Sequence, residues 1–145
     1  MMRASLTTVV FFLLALAVIH GASAQQRFVV EGELWIDGVE RGTPKLFVEA
    51  SRPASIEVSD GTDSWRLEVE VEPVEDALAP VDTLWVHVAV HLQTEGEWER
   101  LADSMLGVPE GETATFSIVD DDALATAETA AVFLRLRTRR TAESQ

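Results

Sequence analysis

This sequence predicts an all-β fold, an antiparallel β-sandwich of about eight short strands after an N-terminal signal helix, with a small barrel as the second choice. Three observations point there. Apolar and polar residues alternate with period two along most of the chain. Turn-forming pairs such as Asp37-Gly38, Asp60-Gly61, Glu95-Gly96 and Glu110-Gly111 separate those stretches. Pro44, Pro53, Pro73, Pro80 and Pro109 all fall at or beyond the ends of the alternating stretches, as a residue without a ladder donor should.

The strands follow in order. Residues 28–36 read as the first, ended by Asp37-Gly38, and residues 46–49 and 55–58 as two short ones. In residues 65–72, Leu67, Val69 and Val71 share one face, and Arg66, Glu68, Glu70 and Glu72 the other. Residues 72–82 (EPVEDALAPVD) read as an acidic, proline-bracketed crossover that switches sheets. The clearest strand is 84–92, with Leu84, Val86, Val88, Val90 and Leu92 facing one way and Trp85, His87, Ala89 and His91 the other. Residues 97–101 and 113–119 are weaker strands. Residues 123–131 (ALATAETAA) have helix-forming composition, but nine residues are marginal for a helix, so one or two helical turns and a loop both stay open. In residues 132–139, Val132, Leu134 and Leu136 alternate with Phe133, Arg135, Arg137 and Arg139. One polar face per strand is what a half-solvated antiparallel sheet requires. The tail, 141–145, is expected to fray.

Residues 1–24 read as an export signal. Met1-Met2-Arg3 is a short basic start, residues 9–19 are unbroken apolar, and Ala22-Ser23-Ala24 suits a signal peptidase cutting between Ala24 and Gln25. Eleven apolar residues fall short of the roughly 20 a membrane-spanning helix needs. No cysteine follows, so a lipid anchor is not expected. The mature chain is then one domain, 25–140, without a transmembrane segment, exported to the periplasm or outside the cell. Lacking cysteine altogether, it must be held by its core rather than by disulfides. The whole chain has 11 basic and 25 acidic side chains, a net charge of −14, which becomes −15 once Arg3 leaves with the signal. Such a charge excludes nucleic acid as a partner and repels anionic lipid.

Residues 46–61 and 106–121 echo one another: Leu46/Leu106, Val48/Val108, Ala54/Ala114 and Asp60/Asp120 are identical, and each copy leads into a longer strand. Two such units would build a pseudo-symmetric sandwich. Residues 51–73 and 111–138 resemble the strand motif of the β-domain of bacterial secretins, written approximately G-Q-x-A-x-I-x-x-G and followed by a long strand. The matching positions are Ser51, Arg52, Pro53, Ala54, Ser55, Ile56 and Val58 in one copy, and Gly111, Glu112, Ala114 and Phe116 in the other. Secretins also carry periplasmic modules and membrane-spanning hairpins that 145 residues do not accommodate. The resemblance implies a shared β-building block or a companion role in an envelope assembly.

No catalytic set stands out. No G-x-S-x-G elbow surrounds any serine and no phosphate-binding glycine loop occurs, so an enzyme is not expected, nor any cofactor. His87 and His91 share a strand face but stand about 13 Å apart in an extended chain, too far to chelate one zinc ion. The acidic turns offer weak calcium candidates in Asp60, Asp63, Asp120, Asp121 and Asp122, without the spacing of an EF-hand loop. Phe47, Trp85 and Phe133 fall on outward faces by alternation, with Trp35 a further candidate, either open to a sugar or partner protein or covered by a crossover loop or short helix as a second small core. Arg135, Arg137, Arg139 and Arg140 make the last strand basic, opposite in sign to Glu68, Glu70 and Glu72. Cross-strand pairing of those two rows would be worth a few tenths of a kcal/mol per pair, up to about 1. Together these residues predict a non-catalytic binding module of the bacterial envelope, acting through Trp85, His87, His91, Phe47, Phe133, Arg135, Arg137 and Arg139. Its partner is an envelope protein, or alternatively a small ligand or carbohydrate; a metal-dependent hydrolase is the second alternative. Exposed strand edges also leave edge-to-edge dimerisation open.

Overall fold

Alternation becomes nine strands: β1 (Arg27–Ile36), β2 (Val39–Gly42), β3 (Lys45–Glu49), β4 (Ala54–Ser59), β5 (Ser64–Pro73), β6 (Thr83–Thr94), β7 (Glu97–Pro109), β8 (Thr113–Ile118) and β9 (Val132–Arg140). The computed structural model describes residues 26–59, 61, 63–120 and 124–141. The signal, with Ala24 and Gln25, and the calcium candidates Asp60, Asp121 and Asp122 lie outside them. Eight of the nine strands are those the alternation predicts. The ninth, β2, is a four-residue strand of mostly polar residues (VERG) that carries no period of its own. It forms because the Asp37-Gly38 turn, with φ of 50° and 75°, folds it back on β1.

The strands form two antiparallel sheets that do not close into a barrel. In one, the order is β8-β9-β1, and the far edge of β1 is shared by β3 (against Arg27–Glu31) and β2 (against Leu34–Ile36). The other has the order β4-β5-β6-β7. Their facing sides supply one core: Phe28, Val30, Leu34 and Ile36 of β1 and Leu134 and Leu136 of β9 meet Leu67, Val69 and Val71 of β5 and Leu84, Val86, Val88 and Val90 of β6. Each such side chain contributes about 1.5–3 kcal/mol on burial.

The sequence echo is a structural one. The units β1-β3-β4-β5 and β6-β7-β8-β9 follow the same path, a hairpin in one sheet, a crossover, then a hairpin in the other, with β2 inserted in the first unit. Registers correspond throughout. Val30 pairs Leu46 as Val86 pairs Leu106, Ile56 pairs Leu67 as Phe116 pairs Leu134, and Leu67 pairs Val90 as Leu134 pairs Leu34. The two crossovers match bond for bond. Ser51 and Gly111 both take positive φ, and their amides donate to Val71 O (2.9 Å) and Thr138 O (2.7 Å). One residue earlier, Ala50 donates to Gln26 O and Glu110 to Asp82 O.

Several expectations are corrected by this topology. The acidic segment 74–82 joins β5 to β6, which are neighbours, so it does not switch sheets. The switches are the short links 50–53 and 110–112. Consequently β5 and β9 lie in different sheets, and the acidic row of one cannot pair with the arginines of the other. Of the two readings left open for residues 123–131, the described part, 124–131, takes the turn and loop form rather than the helical one. Thr126 O accepts from the Ala130 amide, and Thr129 Oγ1 bonds within the same turn. Residue 141 belongs to the fold, since the Thr141 amide donates to Arg27 O at 2.9 Å. Among the described residues, no helix is long and apolar enough to cross a membrane.

Candidate functional site

The outward sides of the two sheets divide the candidate residues between them. On the five-stranded sheet the arginine row of β9 finds acids on β1, its neighbour, rather than on β5. Arg135 reaches Glu33 (3.5 Å) and Arg139 reaches Glu31 (3.4 Å). Arg137 Nε donates to Gly111 O at 2.8 Å. Phe133 lies on the outward side, as alternation predicts, yet it is buried, only 6% exposed, so it is covered rather than open for binding. The 124–131 connection folds over this end of the sheet, with Ala125, Thr126, Ala127 and Glu128 standing around Phe133 and Trp35 in a second small cluster. The Gly38 turn touches the same connection, where a Cβ would stand 2.7 Å from Glu128 O, so only glycine fits there. Trp35 Nε1 donates to Glu33 at 2.7 Å. Phe47, on the edge strand β3, is 70% exposed.

On the four-stranded sheet, β6 carries Trp85, His87, Ala89 and His91 between the polar faces of β5 and β7. The cross-strand rows are Glu72–Trp85–Gly107, Glu70–His87–Met105, Glu68–Ala89–Asp103 and Arg66–His91–Arg100. The two histidines turn to opposite neighbours. His87 Nε2 donates to Asp103 Oδ1 on β7 at 2.5 Å, while His91 Nε2 stands 3.1 Å from Glu68 Oε2 on β5, without the alignment of a hydrogen bond. Strand geometry thus keeps them apart. Among the described residues no three His, Asp or Glu side chains converge as metal ligands.

A β-bulge arranges the β7 side of this face. Val90 pairs Ala102 and His91 pairs Arg100, so Leu101 is passed over. The extra residue turns both Arg100 and Asp103 outward, where Arg100 Nη1 meets Asp103 Oδ2 at 2.9 Å. The Asp103 carboxyl is held below its ordinary value, chiefly by the hydrogen bond from His87, against a smaller desolvation effect, and then by the charges of His87, Arg100 and His91.

Trp85 is the open feature of the face. Its six-membered ring lies against Gly107 of β7, where a Cβ would come within 3.0 Å of Cζ3, and the residue is still 43% exposed. Met105, one row away, is 57% exposed. Glu70 and Glu72 flank this pair on β5 and have no ion-pair partner among the described residues. At the far end of the sheet Trp98 lies under the Arg66 guanidinium, 4.5 Å from its ring centre, and Arg66 is held by Glu57 at 3.0 Å.

Of the calcium candidates within the described residues, Asp63 faces Arg41 at 3.7 Å and Asp120 is exposed. Sequence reasoning names Trp85, His87 and His91 but misses Asp103, Met105, Gly107 and Trp98. It ends the β7 strand at Leu101, where the bulge breaks the alternation. The apolar-polar pattern resuming beyond it, and a glycine inside a strand, are the signals that could have found them. No family model, curated protein or solved structure matches this chain.

Proposed function

We propose that this chain is an exported, non-catalytic binding module of the bacterial envelope that works through the outer face of β4-β5-β6-β7. The observation that carries this reading is the Trp85 platform: a large, half-exposed aromatic ring packed against Gly107, with exposed Met105 one row away and Glu72 and Glu70 on the neighbouring strand. An aromatic anchor with a polar rim is the composition of a recognition surface rather than of a solvated sheet. The opposite face of the sandwich has its ion pairs closed and two of its aromatics under the 124–131 connection, which supports assigning recognition to this side. Export rests on the 1–24 signal, and the companion role in an envelope assembly on the secretin resemblance.

The test is in-cell photo-crosslinking of the tagged protein. A photoreactive residue at position 105 is expected to capture one envelope protein in near-stoichiometric amount, and the same residue at position 115, on β8, none. Trp85→Ala should abolish the adduct. Intact mass of the purified protein should begin at Gln25. Tagged protein recovered alone from both positions would sink the adaptor reading.

A further inference from the structure

Three outward aromatic rings in this protein, those of Phe47, Phe133 and Trp98, share one arrangement. Lys45 Nζ stands 5.9 Å from the Phe47 ring centre and 3.6 Å from Glu31. Arg135 stands 5.6 Å from the Phe133 ring and 3.5 Å from Glu33. Arg66 stands 4.5 Å from the Trp98 ring and 3.0 Å from Glu57. Each time a carboxylate holds a cation of the chain over an aromatic ring, so that ring quadrupole and carboxylate stabilise the same positive charge. Trp85 has the ring and the carboxylates, with Glu72 directly across the strand pair and Glu70 one row on. Among the described residues no lysine or arginine stands over it.

We infer that the cation completing this arrangement comes from outside, and that the Trp85, Glu70 and Glu72 patch takes arginine side chains of an extended segment of a partner protein. This rests on the binding face proposed above and names the chemistry of its occupant. Charge argues for it at two scales. Glu70 and Glu72 find no ion-pair partner among the described residues, and the mature chain's charge of −15 attracts a basic partner while repelling a second acidic copy. Arginine fits better than lysine because its planar guanidinium stacks on indole while donating sideways to carboxylates, as Arg66 does on Trp98. The spacing fits too. Glu68, Glu70 and Glu72 repeat every second residue, about 6.8 Å, the interval at which an extended partner presents alternate side chains.

The test uses an acetylated, amidated hexapeptide alternating arginine and serine, titrated into the mature protein by calorimetry and by NMR of the tryptophan indole protons. A counterpart with citrulline for arginine keeps the shape and removes the charge. The arginine peptide is expected to bind, to weaken with added salt and to shift the Trp85 indole resonance. Trp85→Ala is expected to weaken it about tenfold. Glu70→Gln/Glu72→Gln, which preserves side-chain shape and so the fold, should weaken it similarly and flatten its salt dependence. Absence of binding, equal binding of the citrulline peptide, or indifference to Trp85→Ala would each overturn the inference. Failure of the peptide with a neutral oligosaccharide shifting the Trp85 resonance would overturn it too, while leaving the binding face intact. Failure of both, with no crosslink from position 105, would remove the binding face as well. Self-association abolished by Trp85→Ala, without peptide binding, would give the patch to the arginine row of a second copy and overturn the inference.

Discussion

The two sheets are built on one backbone plan and differ almost entirely on their outer sides. Positions that correspond through the repeated path carry opposite charge: Glu68, Glu70 and Glu72 on β5 stand where Arg135, Arg137 and Arg139 stand on β9. Inside, the same correspondence gives Leu67 and Leu134, Val69 and Leu136, Val86 and Val30. A shared core tolerates only apolar residues of fitting size, because each inward position packs against the other sheet. An outward position is constrained only by its neighbours on the same face. The five-stranded sheet settles its outer charges internally, Arg135 on Glu33 and Arg139 on Glu31, and covers Phe133. The four-stranded sheet leaves Trp85, Met105, Glu70 and Glu72 open. Divergence between otherwise matched faces marks where recognition is to be sought.

The comparison can be broken first at the core. Leu67→Ala and Leu134→Ala remove equivalent, fully buried side chains, and each is expected to lower stability by about 2–5 kcal/mol in urea unfolding. A large inequality between them would mean that the two halves are not energetically matched. Phenylalanines on the outer side of one sheet should then separate by burial. Phe133→Ala is expected to cost about 3 kcal/mol, and Phe47→Ala less than about 0.5 kcal/mol, by the same measurement.

A buried hydroxyl offers a sharper contrast. Thr138 is 1% exposed, its Oγ1 has no hydrogen-bond partner among the described residues, and the matching position on β5 is Val71. Thr138→Val should therefore stabilise the protein by about 1 kcal/mol, seen as a rise in Tm, because it removes an unpaired polar atom and keeps the shape. Loss of stability would show that the hydroxyl has a role of its own.

The smallest effect is electrostatic and belongs to the four-stranded face alone. Asp103 has its carboxyl pKa lowered from 3.8 by His87, so the folded state binds the carboxylate's proton less readily than the unfolded state. Its contribution is fully present above the unfolded value and is lost as pH falls through the lowered folded value. The difference in stability between the wild type and Asp103→Asn should shrink as pH falls below about 4. A difference independent of pH down to complete acid unfolding would detach Asp103 from His87.

Much of the candidate face is legible in the sequence. The sides of β6 follow from alternation, so Trp85, His87 and His91 fall together by sequence and fold alike. Their partners are not legible in the same way. Asp103 lies across a strand pair that only the fold creates, and the bulge at Leu101 shifts it onto the histidine side.

Local periodicity fixes the face on which a side chain lies, because the pleat alternates within one strand and needs no distant information. That period, with the Asp37-Gly38 and Glu95-Gly96 turns, determined the all-β class, eight of the strands and the apolar inner set. Tertiary structure alone decided which strands are neighbours. It placed β5 and β9 in different sheets, sent the arginines to Glu31 and Glu33, buried Phe133 beneath the 124–131 connection and left Trp85 uncovered on Gly107. Neighbour choice is a collective result of packing two sheets around one core, and no single strand's sequence contains it.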